Sequence, residues 1–299
     1  MTVAPRPTSE EFTLASRRKV CFAQHGDITG APVVFFQGTP SSRINHPPES
    51  ITAELGVRLI IIDRPGFGGS EPAPGRTLVN WAEDVAEVLD HLGIHEFRVT
   101  GVSGGGPYVL VTAWRWPIRV LSASVCGGSG PLELPGALRG AAPVRKAGYL
   151  LARYLPRLFR LIIRRNTDPR RDAEKFVKSY TAHNPPADQA IITDPTFRAM
   201  YIANFAEAYR QGPEAFADEV ILCCKYWGFD LAEIRVPTHF WHGELDNSTP
   251  LGMSRGMAER IPGSKLTILP GQGHMFVYGE LWREILGDLL SISRSQRQD

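Results

Sequence analysis

Cysteine is scarce in this 299-residue chain: four in all, Cys21, Cys126 and the adjacent pair Cys223 and Cys224. Their spacing matches neither a metal knuckle nor a disulfide framework, which excludes the small folds that depend on either. Reduced, mostly buried thiols fit best, and with them a cytoplasmic setting. An excess of one charge is also missing. The formal net charge of +2 is too small to leave the electrostatic footprint of a nucleic-acid binder, so no such partner is expected. No uninterrupted apolar run reaches ~18 residues, so no transmembrane helix and no membrane association are expected. Met1 to Glu10 carries Pro5, Pro7 and Glu10 around no apolar core and is not expected to be a signal peptide. Internal repeats and low-complexity tracts are absent. The glycines at Gly101 to Gly106 form neither Gly-x-Gly-x-x-Gly nor Gly-Lys-Ser/Thr, which excludes a nucleotide-phosphate loop there. No metal and no organic cofactor is implied.

What is present is ordinary for a globular protein, with 43% hydrophobic and 21% charged residues. Short continuous apolar runs alternate with helical patterns. Strands are predicted at Lys19 to Gln24, Val33 to Phe36, Arg58 to Asp63, Phe97 to Val102 and Val120 to Cys126. Runs such as Leu59-Ile60-Ile61-Ile62 are those of strands buried on both faces. An amphipathic helix is predicted from Leu78 to Leu92, stopped by Gly93, and another from Gly105 to Trp114. Alternation returns with a strand at Thr238 to Trp241, a helix near Met253 to Arg260, a strand at Lys265 to Leu269 and a helix at Glu280 to Leu290. Such alternation implies a doubly wound α/β architecture on a mostly parallel sheet. Residues 129–229 break the pattern with helical segments and prolines and no convincing strand. The expected organisation is therefore a core of residues 1–128 and 230–299, with 129–229 inserted as a helical cap over the strand ends.

Three segments carry the chemistry. Gly101-Val102-Ser103-Gly104-Gly105 places Gly-x-Ser-x-Gly between a predicted strand and a predicted helix. Gly101 and Gly105 remove the Cβ atoms that would clash in so sharp a turn. The Ser103 hydroxyl then stands clear of the sheet, with the Gly104 amide aimed where a tetrahedral oxyanion would form. A serine hydroxyl needs a base to take its proton and a carboxylate to hold that base. His274 follows the last predicted strand in a glycine-rich loop, and Asp246 follows the strand before it. Glu244 competes with Asp246 for the acid role and is the less favoured, and His242 reads as a packing residue at the strand end. The order Ser, Asp, His is the one this serine turn calls for. A second oxyanion donor should come from the loop after Val33 to Phe36, where Gly38 turns the backbone and the Thr39 amide can face the site.

Taken together, Gln37-Gly38-Thr39-Pro40, Asp63-Arg64-Pro65-Gly66-Phe67-Gly68-Gly69-Ser70, Gly101 to Gly105, Gly243 to Asp246 and Gly273-His274 resemble the α/β-hydrolase superfamily in its esterase, epoxide-hydrolase-like and cofactor-free haloperoxidase-like branch. Gln37 stands where that family often has histidine. Ser103 at the turn argues against epoxide hydrolases and dehalogenases, which use Asp there, and Gly38-Thr39-Pro40-Ser41 lacks the Gly-Gly-Pro-Gly loop of proline iminopeptidases. The resemblance implies acyl transfer to water. The expectation is a serine hydrolase of a small, apolar carboxylic ester, with Ser103 as nucleophile, His274 as base, Asp246 as orienting acid and the amides of Thr39 and Gly104 as oxyanion hole. Carbon–carbon or thioester hydrolysis, a lyase reaction and a non-hydrolytic binding role are the alternatives. The partner expected is a small-molecule substrate, with room left for a homodimer.

Within the cap, Arg153, Arg157, Arg160 and Arg164 recur at helical spacing as a basic stripe, with Tyr154, Leu155, Leu158, Leu161 and Ile162 as an apolar face and Pro156 bending or restarting the helix. A solvated basic face is the plain reading of the stripe, and a lipid-surface role the other. Trp227, Phe229, Tyr201 and Phe205 are candidates either for a substrate pocket or for cap core.

Overall fold

The computed structural model describes residues 9–167, 170 and 172–292; the expectation about the first ten residues falls largely outside them. The elements are β1 (Glu10–Thr13), β2 (Lys19–Gly26), β3 (Ala31–Phe36), α1 (Glu49–Glu54), β4 (Val57–Ile62), α2 (Leu78–His91), β5 (Phe97–Val102), α3 (Gly106–Arg115) and β6 (Val120–Cys126). Six helices follow: α4 (Pro143–Tyr154), α5 (Pro156–Asn166), α6 (Ala173–Thr181), α7 (Pro186–Ile192), α8 (Pro195–Ala208) and α9 (Glu214–Cys223). The chain closes with β7 (Thr238–Gly243), α10 (Leu251–Arg260), β8 (Lys265–Leu269) and α11 (Leu281–Ser291).

The eight strands form one sheet in the order β1-β2-β4-β3-β5-β6-β7-β8. β1 and β2 pair antiparallel, as do β2 and β4; every other pairing is parallel. The apolar runs bury both faces. Val34, Phe36, Ile60 and Ile62 join a core cluster with residues of α2, α3 and α10. Their neighbours Val33, Phe35, Leu59 and Ile61 join a second cluster with residues of α1 and α11. This is the two-sided burial that parallel strands require. At the start of α2 the Thr77 side chain accepts from the Asn80 amide while the Asn80 side chain accepts from the Thr77 amide, a reciprocal cap that fixes the helix start. Gly93, at φ 69°, takes the left-handed turn just beyond its end.

The expected strands are all present, and the expected helices shift by two residues or fewer at either end. Two elements have no counterpart in the sequence reading. β1 is four residues long and α1 six, too short for a periodic pattern to register. All four cysteines are free thiols, and among the described residues no helix is long and apolar enough to cross a membrane.

The stretch around Pro156 restarts rather than bends. Leu155, at φ −128° and ψ 56°, separates α4 from α5, and Pro156 opens α5 at a position where its missing N–H costs nothing. Three of the four arginines of the basic stripe are paired with acids. Arg153 pairs with Glu133 at 2.7 Å, Arg160 with Asp218 at 2.6 Å and Arg164 with Glu214 at 3.1 Å, the last two acids belonging to α9. Tyr154, Leu155, Leu158, Leu161 and Ile162 are exposed, whereas Phe159 and Ile163 are the α5 residues turned inward. The face that packs is therefore rotated relative to the one expected from the sequence, because the tertiary contacts with α9 set it.

Candidate active site

Parallel register brings the functional segments to one edge. Val102 pairs with Cys126, Cys126 with Trp241, and Gly243 with Leu269, so β5, β6, β7 and β8 all end side by side. Ser103 follows β5 directly and adopts φ 57°, a left-handed conformation that non-glycine residues seldom take. Such strain persists only where the surroundings enforce it. Here β5, the α3 start and the bond from the Ser129 amide to the Ser103 carbonyl, 2.8 Å, do so.

Asp246 and His274 are in contact. His274 Nδ1 donates to Asp246 Oδ2 at 2.7 Å. The other carboxylate oxygen accepts the amides of Ser248 at 2.7 Å and Thr249 at 2.9 Å. The Asp246 side chain is fully buried. Its competitor Glu244 is exposed and accepts instead from the Gly271 amide. Gly127 ties this pair to the serine: a Cβ there would lie 2.9 Å from Asp246 Oδ2 and 3.2 Å from His274 Nδ1, and Gly127 directly follows Cys126, the register partner of Val102. Among the described residues the Ser103 hydroxyl is not itself hydrogen-bonded to His274. Such bonds commonly tighten only once substrate is seated.

Burial works against a charged imidazole at His274, but the charge and hydrogen bond of Asp246, with the charge of Asp188, outweigh it and raise its pKa above 6.5. A base must be neutral to accept a proton. The acid limb of kcat/KM is therefore expected to have its midpoint above pH 6.5, activity falling tenfold per unit as pH drops below it; a pH–rate profile with a limb centred below 6 would contradict this. His242 is buried against the same carboxylate, its Nε2 3.7 Å from Asp246 Oδ2, with Nδ1 bonded to Ser254 Oγ at 2.8 Å. Burial pushes its pKa down, so it stays neutral, as fits a packing residue.

The Thr39 amide nitrogen lies 3.3 Å from where a Cβ on Gly104 would stand, and Gly38 approaches the Ser103 side chain, so the β3 loop and the serine turn face one another. Gln37 is buried and donates from Nε2 to the Ile62 carbonyl at 3.1 Å, which ties the loop to β4.

Two supporting residues were not found from the sequence. Arg64, 1% exposed, donates to the carbonyls of Gln37 and Gly38, each at 2.6 Å, and to Thr39 Oγ1 at 2.9 Å. Its Nε pairs with Glu219 of α9 at 3.0 Å. Asp188 of α7 accepts the amides of His274 at 2.9 Å and Met275 at 2.8 Å. Both lie in motifs or helices with no local signal for this task. Asp188→Ala should misplace the His274 loop by enough to lower kcat about 10²-fold, with part of the loss recovered in Asp188→Asn, which keeps one acceptor. Unchanged turnover in Asp188→Ala would remove it from the site.

A cavity of about 240 Å³ opens over Ser103. Its aromatic walls are Tyr149, Phe159, Tyr180 and Phe216. The four aromatics singled out from the sequence are elsewhere: Tyr201 and Phe205 pack in the α11-side core, Trp227 and Phe229 in the α2-side core. Metal-type ligands meet away from this cavity. His25, His46 and Glu49 bring ligand atoms within 4.8 Å of one another, the two imidazole rings tilted by 32° with 4.2 Å between their centroids.

The α/β hydrolase fold family profile matches residues 31–281, and the chain belongs to that family. It is 27% identical over 264 residues to the 2-hydroxy-6-oxononadienedioate/2-hydroxy-6-oxononatrienedioate hydrolase of Cupriavidus pinatubonensis, covering 85% of this chain and 84% of that one. The enzyme of the same name from Escherichia coli K12 is 26% identical over 74% of this chain and 71% of its own. Among solved structures, a bromoperoxidase from Bacillus anthracis superposes with a TM-score of 0.71 at 22% identity, over 95% of this chain and 99% of that one. An esterase from a Rhodococcus species gives 0.69 at 22% identity, over 98% and 100%. Family membership supports an enzyme with hydrolase activity.

Proposed function

We propose that this chain is a serine hydrolase that cleaves a carboxylic ester by way of an acyl-enzyme, with α4–α9 as a cap over the site. The observation that carries the reading is the Asp246–His274 hydrogen bond of 2.7 Å beside a strained Ser103 at the floor of a cavity. Ser103 Oγ attacks the ester carbonyl as His274 Nε2 takes its proton. The amides of Thr39 and Gly104 hold the oxyanion, and Asp246 fixes the tautomer that leaves Nε2 free. His274 returns the proton to the leaving alcohol. Water, deprotonated by His274, then releases the acid. The free thiols fit a cytoplasmic enzyme.

Carbon–carbon hydrolysis on the same residues is the second reading, favoured by the names of the two curated relatives. The test is turnover of p-nitrophenyl esters of rising chain length, set beside 2-hydroxy-6-oxononadienedioate, each with Ser103→Ala as control. Ester turnover that depends on Ser103 supports the first reading; cleavage of the dienedioate alone supports the second.

A further inference from the structure

The cavity over Ser103 is walled mostly by apolar and aromatic groups, and two ionisable charges stand in its lining, Glu219 and Arg145. Glu219 is spoken for: Arg64 and Arg76 both pair with it in the interior. Arg145 is not. Among the described residues it forms no ion pair, although Arg153, Arg160 and Arg164 on the same two helices each find an acid.

Its place on α4 makes this unfavourable for stability. Arg145 is the third residue of a helix that begins at Pro143 and has no side-chain cap. The exposed amides of a helix start are already positive, and a cation there is repelled by about as much as an anion would gain. The side chain faces inward with Gly148 and Tyr149, three and four positions on, which share its lining of the cavity. Its charge is felt at His274, where it opposes protonation, and at Tyr149 and Tyr180. An uncompensated cation near an apolar cavity wall and a helix start attracts an anion.

We infer that Arg145 recognises a carboxylate at the far end of the substrate, so that the preferred esters carry an apolar body and one anionic terminus. This rests on the serine-hydrolase reading above and narrows it from apolar esters to acidic ones. The carboxylate would accept from the guanidinium, which presents paired donors suited to it.

Two measurements test it. The first is the ratio of kcat/KM for p-nitrophenyl hydrogen adipate to that for p-nitrophenyl hexanoate. The wild type should favour the adipate ester. Arg145→Met should lower the ratio about tenfold or more, mainly through KM for the adipate ester, and Arg145→Lys should lower it less. The second is calorimetric titration of glutarate into the Ser103→Ala protein, with and without Arg145→Met. The dissociation constant should rise about tenfold with the substitution and with added salt. An unchanged ratio together with an unchanged glutarate affinity overturns the inference while ester turnover stands. Absence of ester turnover with Arg145-dependent glutarate binding removes the esterase reading and keeps the anion site.

Discussion

Ser103→Ala is expected to lower kcat for p-nitrophenyl esters on the order of 10⁶-fold, about 8 kcal/mol of barrier. Without the hydroxyl no acyl-enzyme forms, and His274 has no proton to accept in the first step. What remains is direct attack by water, assisted by the Thr39 and Gly104 amides, which alone is worth roughly 10³ over the uncatalysed reaction. His274→Ala should cost nearly as much, and the double variant little more than either, because the two side chains act as one unit. The fold should hardly register the change. Alanine keeps the Cβ that already occupies φ 57°, and Ser103 is part-exposed, so removing its hydroxyl leaves no buried partner behind; stability should stay within about 0.5 kcal/mol. Pre-steady-state burst amplitude gives an independent reading: one equivalent of p-nitrophenol in the wild type and none in Ser103→Ala. A loss below tenfold, with purity checked, would mean the chemistry lies elsewhere.

The gathering of the Ser103, Asp246 and His274 segments at one sheet edge was legible from sequence for a physical reason. Ser103, Asp246 and His274 each sit in a short loop directly after a strand, and each loop carries local turn chemistry that a strand end imposes. The parallel order of the strands then does the long-range work, since Val102, Cys126 and Trp241 must pair in register. Local signals fail where the partner is distant. Asp188 lies 86 positions before the His274 amide it holds, on a helix of seven residues, and nothing in its neighbourhood marks it. Whether Tyr201, Phe205, Trp227 and Phe229 line the cavity or pack in the core stayed open in the sequence for a related reason; they pack in the core. Tyr201 and Phe205 have the composition of a pocket, but which face of a helix turns toward Ser103 depends on the packing of six helices against one another. The α5 face shows the same limit. Its apolar residues outnumber what the fold can cover, and only Phe159 and Ile163 are turned inward.

Glu219→Leu should be the most destabilising single change at the site, by about 3–5 kcal/mol. The Glu219 carboxylate is fully buried between two guanidinium groups. Arg64 is itself buried, its guanidinium 5.2 Å from the centre of the Tyr108 ring, and Arg76 donates to Tyr108 Oη at 2.9 Å. Removing the one anion leaves two cations away from water with carbonyls, a hydroxyl and a ring for company, and neither can shed its charge. Glu219→Gln keeps the shape and some hydrogen bonds, so its cost should fall between wild type and leucine. The triple change Arg64→Met, Arg76→Leu, Glu219→Leu should cost less than Glu219→Leu alone, since a buried charged cluster replaced as a whole leaves nothing unpaired. Urea unfolding midpoints at constant slope provide the comparison. The same set separates stability from catalysis. Arg64 is what fastens the Gln37 and Gly38 carbonyls and Thr39 Oγ1, so the triple variant, however stable, should hold the Thr39 amide loosely and lose about 10²-fold in kcat, the scale of one oxyanion donor. A stable triple variant with full activity would show that the arginine merely fills space beneath the loop, and a Glu219→Leu cost under about 1 kcal/mol would show that the cluster reaches water after all.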